Sequence, residues 1–380
     1  MKRRDLVKLG LMTGVSVAGC TSNPGPISTF QTLEPAAEPE AVDPPQAAKA
    51  RPVQLPDTSE MINYPPALKR GDTICCVSPA TAIFERSLVD MARESLEAGG
   101  LKVKLGKHIL DQNGYLAGTD QNRAKDINEA FADPEVKAIF ALRGGWGSNR
   151  TLPYLDFDLI KENPKIFMGF SDITTLLNAF YHKAGLVTFH GPVGFTHWNP
   201  YRFDYINRLI FQGQNVKFVN EDRSGPLVVT GDNQIRTINA GVAEGRLVGG
   251  NMSVWLSLSG TDYLPDVDGK ILFFEDVNES VYRIDRYLST LKLNGTLDRI
   301  SGLIFGYFRK PKGSKDREIM VGSFTLANIV EQYVKPLGIP CYMGAQIGHI
   351  RHNQTWPVGG LVRMDANEGT LKLLEPAVMV

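Results

Sequence analysis

From Leu68 onward the chain alternates short apolar runs with amphipathic stretches of helical period, and this alternation limits the fold more than any other property. Asp72–Val77 reads as a strand closed by Ser78-Pro79-Ala80. Arg86–Ala98 reads as a helix ended by Gly99-Gly100, and Leu101–Leu105 as a strand. Asp120–Ala132 is a helix closed by Asp133-Pro134. Val136–Leu142 is an apolar strand running into Arg143-Gly144-Gly145-Trp146-Gly147. A further strand is expected at Ile166–Met168 and another at Leu186–His190. Strands spaced by helices of this length pair in parallel through right-handed crossovers. Functional loops then gather at the carboxyl ends of the strands.

Beyond Ala243 the texture changes. Arg246–Val248, Lys270–Phe274 and Gly302–Phe308 read as strands, Val281–Leu291 and Ser323–Tyr333 as helices. Leu361–Asp365 and Thr370–Leu374 flank the turn Asn367-Glu368-Gly369 and form a hairpin-like pair. The expected fold is therefore α/β: an N-terminal Rossmann-like or flavodoxin-like parallel-sheet domain (65–195), an irregular connection (196–240), and a smaller mixed β/α domain (241–380).

The N-terminal 64 residues read differently. Lys2, Arg3 and Arg4 precede a short apolar stretch, Leu6–Ala18, and then Val17-Ala18-Gly19-Cys20. Residues 1–20 have the form of an export signal whose small residues precede a lipidated cysteine, Cys20, and the Arg3-Arg4 pair resembles a twin-arginine signal. The apolar run is shorter than the roughly 20 residues that span a bilayer. Residues 21–64, with repeated Pro, Ala, Ser, Thr and Glu, read as an extended tether. A chain so built is expected to be exported and lipid-anchored to a bacterial membrane, facing the periplasm or cell wall. The remaining cysteines, Cys75, Cys76 and Cys341, make no disulfide framework: the first two are neighbours on one strand, where alternate side chains face opposite ways. With 41 basic and 41 acidic side chains and no basic block, nucleic acid is not an expected partner.

The stretch Lys165–Leu177, KIFMGFSDITTLL, carries the chemistry. It reads strand, glycine-containing corner, helix, with Ser171 at the corner. There a hydroxyl projects outward beside unpaired N–H groups of the helix's first turn, which suit a developing oxyanion. On this stretch alone a helix-capping serine is the commoner role. Glu275-Asp276 closes an apolar strand, and His349 lies in the loop GAQIGHIRHNQTWPVGG. Taken singly, each is as well explained by a solvated loop. Together they supply nucleophile, orienting carboxylate and general base. His349 and His352 do not form a helical H-E-x-x-H, and no C-x-x-C occurs, so no metal or other cofactor is expected. GFSDI is not G-x-S-x-G, which disfavours an α/β-hydrolase. Arg143 could bind a substrate carboxylate bidentately or pair with a nearby Asp.

Seven stretches occur in order from about Leu68 to the C-terminus: GDTICCVSPA (71–80), AGTDQNRAKDINEAFADPEVKAIFALRGGWG (117–147), MGFSDIT (168–174), TFHGP (188–192), LVGGNMSVWLSLSGT (247–261), ILFFEDVNESVYRIDRYLSTL (271–291) and IGHIRHNQTWPVGG (347–360). In these the chain resembles the LD-carboxypeptidase family of serine peptidases, to which the muramoyl-tetrapeptide carboxypeptidases and the microcin C self-immunity peptidases belong. The resemblance implies a Ser–Glu–His triad at Ser171, Glu275 and His349, with Glu279 a rival for the carboxylate. It implies an oxyanion hole of backbone N–H groups, by position Asp172 and, in the RGG loop, Gly145. Trp146 stands where the family usually has an aromatic such as Tyr, and Ile347 before Gly348 is a mild departure. The resemblance further implies a homodimer and a murein tetrapeptide or muropeptide substrate, losing its terminal D-alanine. Two alternatives remain: a same-fold serine amidase acting on a substrate such as a peptidyl-nucleotide conjugate, and a non-catalytic murein-binding lipoprotein.

Overall fold

The computed structural model describes residues 61–221, 234–309 and 324–380. The expected export signal, Cys20 and most of the expected tether lie outside the described residues. In chain order the elements are β1 (Thr73–Val77), α1 (Arg86–Ala98), β2 (Lys102–Leu105), α2 (Asp120–Ala132), β3 (Val136–Ala141), α3 (Phe157–Glu162), β4 (Ile166–Gly169), α4 (Thr174–Ala184) and β5 (Thr188–His190). There follow α5 (Pro200–Ile206), β6 (Lys217–Phe218), β7 (Arg236–Asn239), β8 (Val242–Asn251), α6 (Met252–Leu256), β9 (Ile271–Val277), α7 (Val281–Leu293), α8 (Thr296–Arg299) and β10 (Gly302–Arg309). The chain closes with α9 (Leu326–Val334), β11 (Cys341–Met343), β12 (Trp356–Val358), β13 (Leu361–Asp365) and β14 (Thr370–Leu373).

The first sheet runs β12-β5-β4-β3-β1-β2. Its five N-terminal strands are parallel, in the doubly wound order 2-1-3-4-5 of flavodoxin-like folds. Local signals set its helices. Thr119 accepts from the Asn122 N–H to start α2, and Gly185, at φ 67°, ends α4. The rings of Phe131, Phe167 and Phe180 meet edge-on or stacked at 4.8–6.3 Å between α2, β4 and α4.

The second sheet runs β6-β14-β13-β8-β9-β10-β11-β7, parallel from β8 to β11 and antiparallel at its flanks. Helix α4 lies against it. Asn178 exchanges two hydrogen bonds with the backbone of Gly249, at 2.8 and 3.2 Å, and the Thr174 hydroxyl accepts from the Asn251 N–H at 2.9 Å. Gly250 is required there: its φ is +134°, and a Cβ would lie 2.5 Å from the Thr174 hydroxyl. The helix that follows Ser171 is thereby keyed into the strand beside Glu275.

Three expectations are corrected. Residues 61–64 do not continue a tether: Asn63 bridges to Leu186, and the Tyr64 hydroxyl bonds Glu375. Residues 196–240 are not simply irregular, since they carry α5 and two edge strands of the second sheet, β6 and β7. Glu275 and Asp276 lie within β9 rather than just past it, because β9 runs on to Val277. Trp356–Val358, unassigned from the pattern, crosses back as β12 to pair antiparallel with β5. Cys75, Cys76 and Cys341 are free thiols, buried on strands, and burial pushes Cys75 up to about 12.

Candidate active site

Ser171 follows β4 at a corner so tight that its φ is +65°, one of two positive values among the described non-glycine residues. Such a backbone costs a β-carbon-bearing residue about 1–2 kcal/mol, and strain of this kind gathers at functional sites. The neighbouring Arg143–Gly147 loop presses on the corner. A Cβ on Gly144 would lie 3.0 Å from the Ser171 Cβ and 3.2 Å from the Asp172 nitrogen, so any side chain there would have to push the corner back by a few tenths of an ångström. Gly145, at φ +116°, lies against Thr81, whose hydroxyl accepts from the Trp146 N–H at 2.9 Å.

The loop is pinned from beneath by residues that sequence reasoning passed over. Arg123 of α2 is buried and donates to the carbonyls of Gly147, at 2.8 Å, and Pro79. The Asp172 carboxylate accepts from the Ser148 N–H at 2.8 Å, while its carbonyl accepts from the Ser148 hydroxyl at 2.5 Å. Burial pushes the Asp172 carboxyl above its ordinary range. Asp172 thus anchors the loop through its side chain and its carbonyl. No local pattern in the sequence marks either anchor.

His349 reaches Ser171 on a loop that leaves β11 in the second sheet and ends at β12 in the first. Gly348, at φ +112°, is forced: a Cβ there would lie 2.6 Å from Glu275 Oε2. The Gly348 N–H donates to Asn353 Oδ1 at 2.8 Å. Ile347 is fully buried where β10 shifts register, and a Cβ on Gly306 would sit 2.5 Å from it. The imidazole packs against the Phe170 ring, centroids 4.9 Å apart.

The structure brings Ser171, His349 and Glu275 together. His349 Nε2 lies 3.1 Å from Ser171 Oγ, and His349 Nδ1 lies 2.7 Å from Glu275 Oε2. Glu275 is fully buried. Burial alone would raise its carboxyl, but the His349 charge and the two neighbouring imidazoles, His190 and His349, outweigh it and hold the group well below the usual carboxylate range. Burial likewise opposes the imidazolium of His349, and the Glu275 charge overcomes this, so the imidazole is raised. A hydroxyl, an imidazole and an ionised carboxylate in this order can pass a proton from oxygen to nitrogen and stabilise the cation that results.

Other expected residues sort as follows. Glu279 pairs with Arg283 at 3.3 Å, one turn along its own segment, and does not approach His349. Asp276 faces away from the imidazole, accepting from the N–H groups of Ser253 and Val277 and from the Asn251 amide. Burial, with the Glu275 charge beside it, pushes Asp276 up to about 6. Arg143 donates to the Ala82 carbonyl at 3.2 Å and has no carboxylate partner among the described residues. Trp146 is 65% exposed at the rim, edge-on to Tyr115 at 6.4 Å. His352 packs edge-on to Tyr201, and no metal-ligand cluster occurs among the described residues.

Comparison with known proteins agrees with this geometry. The pattern of the LD-carboxypeptidase N-terminal domain matches residues 74–191, and that of the LD-carboxypeptidase C-terminal domain matches 244–364. A probable murein peptide carboxypeptidase of Bacillus subtilis (strain 168) is 38% identical over 315 residues, covering 81% of this chain and 94% of that one. A solved MccF-like protein from Bacillus anthracis str. Ames superposes with a TM-score of 0.72 at 30% identity, covering 82% of this chain and 99% of that one. The muramoyltetrapeptide carboxypeptidase of Oxalobacter formigenes does so with a TM-score of 0.67 at 28% identity, covering 79% and 97%. With both halves matched in order on one fold, the chain belongs to the LD-carboxypeptidase family and is a serine-type carboxypeptidase.

Proposed function

We propose that this carboxypeptidase releases the terminal D-alanine of murein tetrapeptides, cutting the L,D amide bond after the third residue through an acyl-enzyme on Ser171. His349 Nε2 takes the hydroxyl proton as Oγ attacks the carbonyl carbon. Glu275 holds the proton on Nδ1 and stabilises the imidazolium. The imidazolium then protonates the departing amine, and water admitted in its place is activated by the same imidazole to release the peptide. The N–H groups of Asp172 and Gly145 receive the oxyanion. Arg143, without a carboxylate partner among the described residues, meets the substrate's terminal carboxylate, and Trp146 lines the rim. The observation that carries this reading is the unbroken contact chain Ser171 Oγ–His349 Nε2–Nδ1–Glu275 Oε2, at 3.1 and 2.7 Å. The murein peptide carboxypeptidases among the relatives support the substrate class. Ser171→Ala should lower kcat on tetrapeptide by about 10⁴–10⁶-fold with an unchanged melting temperature. Near-native hydrolysis by that variant sinks the assignment.

A second substrate class has its own support. Superposable MccF structures are described as complexes with aspartyl sulfamoyl adenosine and glutamyl sulfamoyl guanosine. Competing tetrapeptide against an aminoacyl sulfamoyl adenosine decides between them by relative kcat/KM.

The proposal places the enzyme outside the cytoplasm on a lipid carried by Cys20, supported by the basic, apolar and small-residue run of its first twenty residues. Cys20→Ala should move it from the membrane fraction to the soluble one. The homodimer expected of the family is tested by its mass in solution.

A further inference from the structure

His190 ends β5 and is fully buried, yet neither of its ring nitrogens has a hydrogen-bond partner. Its Nε2 lies 3.9 Å from Glu275 Oε1. That oxygen is itself buried and unpartnered, because His349 takes the other one. Two orphaned polar atoms therefore face each other in the interior, where an unmade hydrogen bond is costly. The rings of Phe273 and Phe170 pack edge-on against the imidazole at 5.3 and 6.0 Å.

We propose that His190 is a positioning residue for the serine reaction: a shift of about 1 Å closes the gap to hydrogen-bonding distance, and its Nε2–H donates to Glu275 Oε1, so that the carboxylate is held between two imidazoles. This rests on the triad reading above. The terminal torsion of a glutamate is broad, so a carboxylate tied through one oxygen can still pivot away from His349. A second donor fixes its plane. The donor also comes from the other half of the fold. His190 is in register with Gly169 at the end of β4, while Glu275 is carried by β9 in the second sheet. The side chain thus ties the acid to the sheet that carries the nucleophile. With its proton on Nε2, His190 leaves only an acceptor, Nδ1, unpaired. The proton passed during catalysis stays between Ser171 and His349.

The test compares His190→Phe, which keeps the ring and its packing, with His190→Gln, which restores an N–H donor. Readouts are the rate at which a fluorophosphonate labels Ser171, the kcat and KM for tetrapeptide, and the melting temperature. Phe should slow labelling and kcat by about 10- to 100-fold with KM little changed, and Gln should recover most of the loss. Labelling of the Phe variant at the wild-type rate overturns the proposal. So does equal slowing of Phe and Gln in step with lost stability, which marks a packing role alone. Should Phe fail to fold, His190→Asn replaces it: its amide is too short to reach Oε1. Slow Asn with fast Gln then supports the proposal, and equal rates overturn it. A wild-type Ser171 that takes no label sinks the triad reading, and this inference with it.

Discussion

The corner that holds Ser171 and the loop that holds His349 reach the same point by opposite means. The corner is local. Within a dozen residues it runs through strand, strained turn and helix, and its contacts to Gly144 and Ser148 come from the loop that follows the adjoining strand β3 of the same sheet. The His349 loop is non-local. It spans β11 of one sheet and β12 of the other, and its shape is set by Glu275, Gly306 and Asn353. The corner fixes its reactive atom by backbone strain, whereas the loop fixes its own by close packing on glycine. The serine side should therefore tolerate changes to distant residues, and the imidazole side should not.

The sharpest test of this contrast removes the charge behind the imidazole. Glu275→Gln keeps the shape of the site but should cut kcat by about 10³–10⁴-fold, because the imidazole loses its tautomer anchor and the partner of its cation. The pH dependence follows in sign. A raised His349 keeps its proton to higher pH, so the acid limb of wild-type kcat/KM should have its midpoint above the ordinary imidazole value of about 6.5. In Glu275→Gln, burial is left without the opposing charge, and the limb should move to lower pH. A limb that stays put would separate the carboxylate from the imidazole's titration.

Gly348→Ala tests the packing side. The new methyl would meet Glu275 Oε2 at 2.6 Å on a backbone at φ +112°. Displacing the imidazole by about 1 Å should cost roughly 10²-fold in kcat, together with about 1–3 kcal/mol of stability from the strained backbone, read by denaturant unfolding. An active and stable variant would show that the loop is less tightly set than its contacts imply. The smallest effect tests the strain side. Ser171→Gly and Ser171→Ala should both be inactive, but the glycine variant should be the more stable by about 1 kcal/mol, since only it adopts φ +65° without steric cost. Equal melting temperatures would remove strain from the account of the corner.

Much of the fold was legible because its signals are short-range. Helices α1 and α2 fall at the expected residues, since the apolar period and the following Gly-Gly or Asp-Pro, with the Thr119 cap for α2, all lie within one stretch. The parallel sheet followed from the alternation of elements. Strand β12 was not legible: three residues, Trp356-Pro357-Val358, carry no period, and they form a strand only because β5 offers its edge. Likewise β6 and β7 are edge strands of two and four residues in a stretch without alternation. At the site, Ser171 had a local signature, while Glu275 and His349 looked like ordinary loop or strand-end residues until ordered motifs placed them. Arg123 and Asp172 as loop anchors, and the burial of His190, left no mark in the sequence, because burial and partner choice are properties of neighbours remote in the chain.

The sequence by itself determined the doubly wound half, the tight turn at Ser171, and a set of polar groups able to move a proton. Only the tertiary structure decided that Glu275 rather than Glu279 backs the imidazole, and that His349 meets Ser171 at 3.1 Å. The reason is physical. Local conformation follows from dihedral preference and periodicity over a few residues, whereas the meeting of groups from two sheets depends on the register of β12 against β5 and on how closely Gly306 and Gly348 let other atoms approach.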